Sequence, residues 1–257
     1  MESLKRMAGP EATSGAGKEG EGEHADVHAS SEEYARRFAG GVGRWFLEVQ
    51  AREALKAAGG EGAGRTVLDV GGGHGQLAGA FAGAGWKVTV FGSAEVCGER
   101  VKGLEGVEFR WGDVLNLPFE DGSFDTVLCF RWLTHCGHRE RMVEELCRVA
   151  RRRVVVDYPV LAGVNRLAPA LFGAKRKLEG NTRAFELFGD AEVEGWFAAC
   201  GWRRASLAKQ FCLPMALHRS GHARWLSAAA EGVCRGLGLT RRWGSPAIAS
   251  FGKGGAE

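Results

Sequence analysis

From residue 66 onward, short apolar runs alternate with stretches in which apolar residues recur at helical spacing. Residues 66–70, 86–91, 107–111, 125–130 and 154–156 read as strands. Between them, helical patterns run over about 75–84, 94–102 and 138–150, the last carrying Met142, Val143, Leu146, Cys147 and Val149 on one stripe. Strands that alternate with helices in this way predict βαβ units and a parallel sheet, hence an α/β fold. Ahead of the first strand, Tyr34, Phe38, Val42, Trp45, Phe46, Val49 and Leu55 recur at roughly helical spacing behind a capping box formed by Ser30 and Glu33. The glycines at 40, 41 and 43 are expected to break this helix in two.

After Tyr158-Pro159 the alternation is interrupted by an apolar and basic segment over 161–178. A helix resumes at Asp190, which is placed to N-cap it, with Val193, Trp196, Phe197 and Cys200 on its buried face and Gly201 as its stop. A strand over 205–213, an Ala/Leu helix over 223–237 and a last strand over 247–251 follow. Residues 1–29 hold almost no large apolar groups and are expected to be disordered. The remainder, 30–257, reads as one domain with a helical lid inserted at about 160–189.

The chemistry gathers where the first strand ends. Val67-Leu68-Asp69-Val70 runs into Gly71-Gly72-Gly73-His74-Gly75, with glycine at alternate positions, and then into a helical stretch. Glycine supplies the positive φ of a tight turn and lets a ligand approach the backbone, while the free N–H groups of the next helix face that ligand. The dinucleotide fingerprint G-x-G-x-x-G fails here, because Gln76 stands where its third glycine belongs. The pattern present is Asp-x-Gly-x-Gly-x-Gly.

At these residues the sequence resembles the class I S-adenosylmethionine-dependent methyltransferases, and Leu117-Pro118-Phe119-Glu120-Asp121-Gly122-Ser123-Phe124-Asp125 resembles that family's run before the fourth strand. The resemblance implies a three-layer Rossmann-like sandwich with a mostly parallel seven-stranded sheet whose last strand is antiparallel. It implies S-adenosylmethionine as the cofactor, held by Asp69, Gly71, Gly73, Gly75, Gly92, Ser93, Asp113, Val114 and Phe130. Asp113 would accept from the adenine amine, where a charged acceptor strengthens the bond. One departure stands out: about 20 residues beyond the glycines an acidic residue normally accepts from the ribose hydroxyls, and here that position is Gly92, with Ser93, Glu95 or an ordered water left as substitutes.

His135, in the segment after the fourth strand, is the candidate general base, since an imidazole titrates near working pH. Arg131, Tyr158 and Arg183 are candidate acceptor contacts, Arg131 being equally placed to pair with Asp157. The acceptor expected is a small molecule, apolar and aromatic or lipid-like; transfer to protein or RNA, and a non-catalytic donor-binding role, stay open. No Asn/Asp-Pro-Pro-aromatic motif or Pro-Cys nucleophile follows the fourth strand, which disfavours base-amine and cytosine C5 chemistry.

Composition adds mostly exclusions. The 34 Lys+Arg nearly balance the 31 Asp+Glu, so no global field argues for nucleic acid. Seven cysteines without a C-x-x-C pair read as reduced, buried thiols rather than a metal or disulfide framework, consistent with a cytoplasmic protein. No apolar run is long enough to span a bilayer, although the basic cluster Lys175-Arg176-Lys177 leaves a peripheral membrane contact open. Oligomeric state is not legible.

Overall fold

The computed structural model describes residues 25–72, 75–162, 186–220 and 223–254. Its centre is a seven-stranded sheet in the order β3-β2-β1-β4-β5-β7-β6. The strands are β1 (Thr66–Val70), β2 (Lys87–Gly92), β3 (Val107–Trp111), β4 (Phe124–Cys129), β5 (Ala150–Tyr158), β6 (Trp202–Phe211) and β7 (Ser245–Lys253). β1 to β5 pair in parallel, and β7 enters antiparallel between β5 and β6. That is the sheet that the resemblance implied.

Period-2 alternation gives the sheet two apolar faces. On one, Val67, Val88, Val90, Leu128, Val155 and Ile248 pack beneath α3 (Gly40–Ala58) and α4 (Ala78–Gly83). On the other, Leu68, Val70, Val127, Cys129, Val154 and Val156 pack beneath α5 (Arg139–Val149) and α6 (Asp190–Ala199). The segment between β6 and β7 carries three further helices, α7 (Met215–Ser220), α8 (Arg224–Gly236) and α9 (Leu239–Trp243).

Several expectations are corrected. The helix expected over 94–102 is a single 3-10 turn, Glu95–Gly98, followed by turns, and Gly98 packs so closely on the Phe109 ring that a side chain there has no room. The break in the N-terminal region falls before the glycines: α2 (Glu32–Arg36) ends, and α3 begins at Gly40. The cap of α2 is Ser31, which accepts from the Tyr34 N–H, rather than Ser30. Gly189, not Asp190, caps α6. Asp190 is drawn instead to the Tyr158 hydroxyl at 3.0 Å and to Lys209 at 3.1 Å. Helix α1 (Ala25–Ala29) lies inside the stretch expected to be disordered, and its Asp26 is only 2% exposed.

Helix α8 inverts the usual pattern. Its inward side is Ser227 and Glu231, and the Glu231 carboxylate accepts from the N–H groups of Cys212 and Leu213 at 2.9 and 2.8 Å and meets His218 at 3.1 Å. Trp225, Leu226, Val233 and Leu237 face outward.

Candidate functional site

In an open α/β sheet the crevice for a ligand lies beyond the carboxyl ends of the strands where the order reverses, here between β1 and β4. β1 delivers Asp69 to that crevice and turns sharply at Gly71, whose φ is +77° and whose N–H bonds the Phe91 carbonyl at 2.8 Å. A Cβ on Gly71 would stand 2.0 Å from the Trp132 ring, so only glycine lets the turn pass over the indole. Gly75 closes the described part of the loop by donating to the Gly72 carbonyl at 2.9 Å. Gly73 and His74 lie outside the described residues.

Asp69 is 1% exposed, and neither carboxylate oxygen has a hydrogen-bond partner among the described residues. Burial, and secondarily the neighbouring Asp157, push its carboxyl up to about 7. Asp157 is buried beside it and raised to about 6 by desolvation; the Arg131 N–H, the Arg131 charge and Gln50 Nε2 at 3.3 Å oppose that rise. Two buried carboxyls, one without a donor, at the mouth of a glycine turn are an arrangement that a cationic ligand group relieves. The residues therefore fit S-adenosylmethionine, whose methionine ammonium and sulfonium both carry positive charge.

At the end of β2, Gly92 has no room for a side chain: a Cβ would lie 2.8 Å from Cys97 Cβ and 3.2 Å from the Phe109 ring. Glu95 is exposed on the 3-10 turn, away from the buried groups. Ser93 is buried, and both its donors go to Asp26 of α1, the N–H to Oδ2 at 2.8 Å and the hydroxyl to Oδ1. At the end of β3, Asp113 is exposed and its Oδ1 accepts from the Leu115 N–H at 2.9 Å, while Val114 is buried.

Beyond β4, Phe130 is buried against the α3 side of the sheet. Arg131 adopts φ +62°, a costly conformation for a residue with a side chain, held by its N–H bond to Asp157. Its guanidinium donates to Gln50 Oε1 at 2.9 Å and to the Tyr34 hydroxyl at 3.5 Å, and lies over the Phe38 ring at 4.4 Å. The backbone N–H of Arg131 thus holds Asp157, while its side chain ties α2 to α3. His135 is half-buried in the turn after Leu133, its N–H donating to the Trp132 carbonyl at 2.8 Å. Tyr158, expected at the acceptor, is 1% exposed within the core with its hydroxyl committed to Asp190. Arg183 lies outside the described residues. Among the described residues on either side, Val160 bridges Phe188, and Glu186 meets Thr134 and Arg139.

The resembling run over 117–125 is a structural clamp. Arg148 donates to the carbonyls of Leu117 and Phe119 at 2.8 and 2.7 Å and pairs with Glu145 and Asp121. Asp125 accepts from the N–H and hydroxyl of Thr66, fixing the start of β1. Sequence reasoning missed Asp26 and Gln50. Nothing in the chain marked them, since their partners lie 67 residues away at Ser93 and 107 and 81 away at Asp157 and Arg131.

Comparison with known proteins gives three kinds of likeness. A family described as a methyltransferase domain matches residues 67–153. The demethylmenaquinone methyltransferase of Thermobifida fusca (strain YX) is 30% identical over 198 residues, 67% of this chain and 84% of that protein. Norajmaline N-methyltransferase of Rauvolfia serpentina is 44% identical over 52 residues, which span 20% of this chain and only 18% of that protein. Among solved structures, magnesium protoporphyrin IX methyltransferase from Synechocystis PCC 6803 with bound SAH superposes with a TM-score of 0.59 over 88% of this chain and 96% of that one, at 18% identity, a likeness of fold.

Proposed function

Because the chain belongs to the class I S-adenosylmethionine-dependent methyltransferases, we propose that its acceptor is a small apolar molecule, aromatic or lipid-like, methylated in the crevice beyond β1 and β4. The observation that carries the site is the buried Asp69 carboxylate beneath the glycine turn, without a hydrogen-bond partner among the described residues. Two relatives, a demethylmenaquinone methyltransferase and norajmaline N-methyltransferase, support an apolar ring system as the acceptor.

When bound, the cofactor supplies a methyl group on a sulfonium, a carbon already activated for in-line displacement. The chain's part is to bind, align and exclude water. Asp69 and the loop through Gly71, Gly73 and Gly75 hold the methionine end, Asp113 accepts from the adenine amine, and Gly92, Ser93, Val114 and Phe130 line the adenosine. Asp113 would have to exchange its Leu115 contact or use the second carboxylate oxygen. Where the acceptor loses a proton as it gains the methyl, His135 takes it. Arg131 acts by position, latching the N-terminal helices over the crevice, and Arg183 meets an anionic or carbonyl group on the acceptor. The catalytic domain extends from α1 to residue 257, because Asp26 packs into it, with the segment at about 160–189 as the lid over the acceptor.

Two experiments test this. Incubation with isotope-labelled methyl donor and a cell extract should place label in the organic-soluble small-molecule fraction. Label in protein or RNA contradicts the acceptor class, and label nowhere favours a non-catalytic donor-binding protein. Replacing residues 161–178 by a short polar linker should leave donor affinity intact and collapse turnover; unchanged turnover would remove that segment from the acceptor site. Among the described residues no helix is long and apolar enough to cross a membrane.

A further inference from the structure

A ribose carries two adjacent hydroxyls, and in open α/β sheets a carboxylate at the carboxyl end of the second strand accepts from them. In this chain that carboxylate cannot stand on β2, because a side chain at Gly92 would collide with Cys97 and the Phe109 ring. The carboxylate bonded to this turn comes from elsewhere: Asp26, on α1, receives both donors of Ser93, one on each oxygen. Ionised carboxylate has about four acceptor positions. Ser93 uses two of them and so fixes the group's orientation; the Cys97 thiol is a third, weak donor, and a pair of neighbouring O–H donors fits once it is displaced. Asp26 is 2% exposed, and a buried carboxylate whose third partner is only a weak thiol donor gains when stronger hydroxyl donors arrive.

We propose that Asp26 is the ribose-diol acceptor of the cofactor site, supplied from the N-terminal helix in place of the acid missing at the end of β2. This rests on the reading that the crevice binds S-adenosylmethionine. It makes α1 part of the site rather than a leader to it. Because Asp26 is covered in the structure, α1 has to lift for the nucleoside to enter, and the bound ribose then holds it down.

The test is calorimetric titration with S-adenosylhomocysteine and its 2′-deoxy analogue, on wild type, Asp26→Ala and Asp26→Asn, each first shown by thermal melting to be folded. Loss of a charge-assisted bond should weaken S-adenosylhomocysteine binding by roughly 10- to 150-fold in Asp26→Ala, with Asp26→Asn between. The 2′-deoxy analogue should bind wild type more weakly than the parent, and that discrimination should disappear in Asp26→Ala. Hydrogen exchange over residues 25–29 should slow on binding in wild type and not in Asp26→Ala. Variants that bind like wild type, or that lose affinity while still discriminating the deoxy analogue fully, would show that Asp26 only braces Ser93. Wild type that fails to bind S-adenosylhomocysteine at all would overturn the donor reading itself.

Discussion

Asp69 shows how one buried group ties stability to ligand chemistry. Its carboxyl is raised from 3.8 to about 7, so the fold holds the proton more tightly than the unfolded chain does. The stabilising contribution is full below about pH 4 and is lost as pH rises toward 7, with Asp157 losing its own share by about 6. By neutral pH the free protein has lost up to about 4 kcal/mol of stability relative to low pH through this one group. Asp69→Asn should therefore be more stable than wild type at pH 8, and differ little at pH 4.5, in denaturant melts of the ligand-free protein. Equal stabilities at both pH values would mean that the carboxylate is solvated. His135 carries the other prediction at this scale. His135→Ala should lower turnover by about 10²–10⁴-fold with donor affinity unchanged, measured as kcat beside calorimetric Kd; an unaffected kcat across pH would show that alignment alone drives transfer.

Elements were legible where local pattern and tertiary packing agree. β1 and β3 appear with the boundaries expected from their apolar runs, and α5 differs from expectation by a residue at each end. Disagreement arises where a partner distant in sequence decides. That a side chain is barred at Gly92 and Gly98 could not be read without knowing that Phe109 lies against both. The apolar residues of α8 give a clean helical stripe, yet that stripe faces outward, because Glu231 is drawn in by two backbone N–H groups and His218. The loop over 117–125 was recognised by resemblance, and the structure supplies its physics in the Arg148 clamp. Removing that guanidinium takes from Glu145, whose side chain is 3% exposed, its nearest ion pair, leaving Arg141 at 3.4 Å and the Leu117 N–H, and frees the carbonyls of Leu117 and Phe119. Arg148→Ala should cost about 3 kcal/mol in chemical denaturation. A change below about 0.5 kcal/mol would place the clamp among ordinary surface ion pairs.

Across the whole molecule, the sheet is assembled from local signals, whereas the site is assembled from contacts that cross it. Donor-side residues at the ends of β1 and β3 were visible as motifs. Those that close the crevice were not, because Gln50, Tyr34 and Asp26 all come from the N-terminal helices and reach Asp157, Arg131 and Ser93 far along the chain. Helix α3 also anchors the C-terminal elaboration, through Trp45 and Phe46 against Phe211 and His218 and through Glu48 to Arg224. Helix α3 thus packs against the helical segment between β6 and β7.

The central claim is that Asp69 and the glycine turn form the methyl-donor site. Its most direct test is titration of the protein with S-adenosylmethionine at pH 6 and pH 8. Ionised Asp69 is the form that holds a cation, so affinity should rise between the two pH values as the carboxyl at about 7 loses its proton. Asp69→Asn should bind more weakly and remove most of that rise. Absence of binding at either pH, or an affinity that neither pH nor Asp69→Asn changes, would contradict the account.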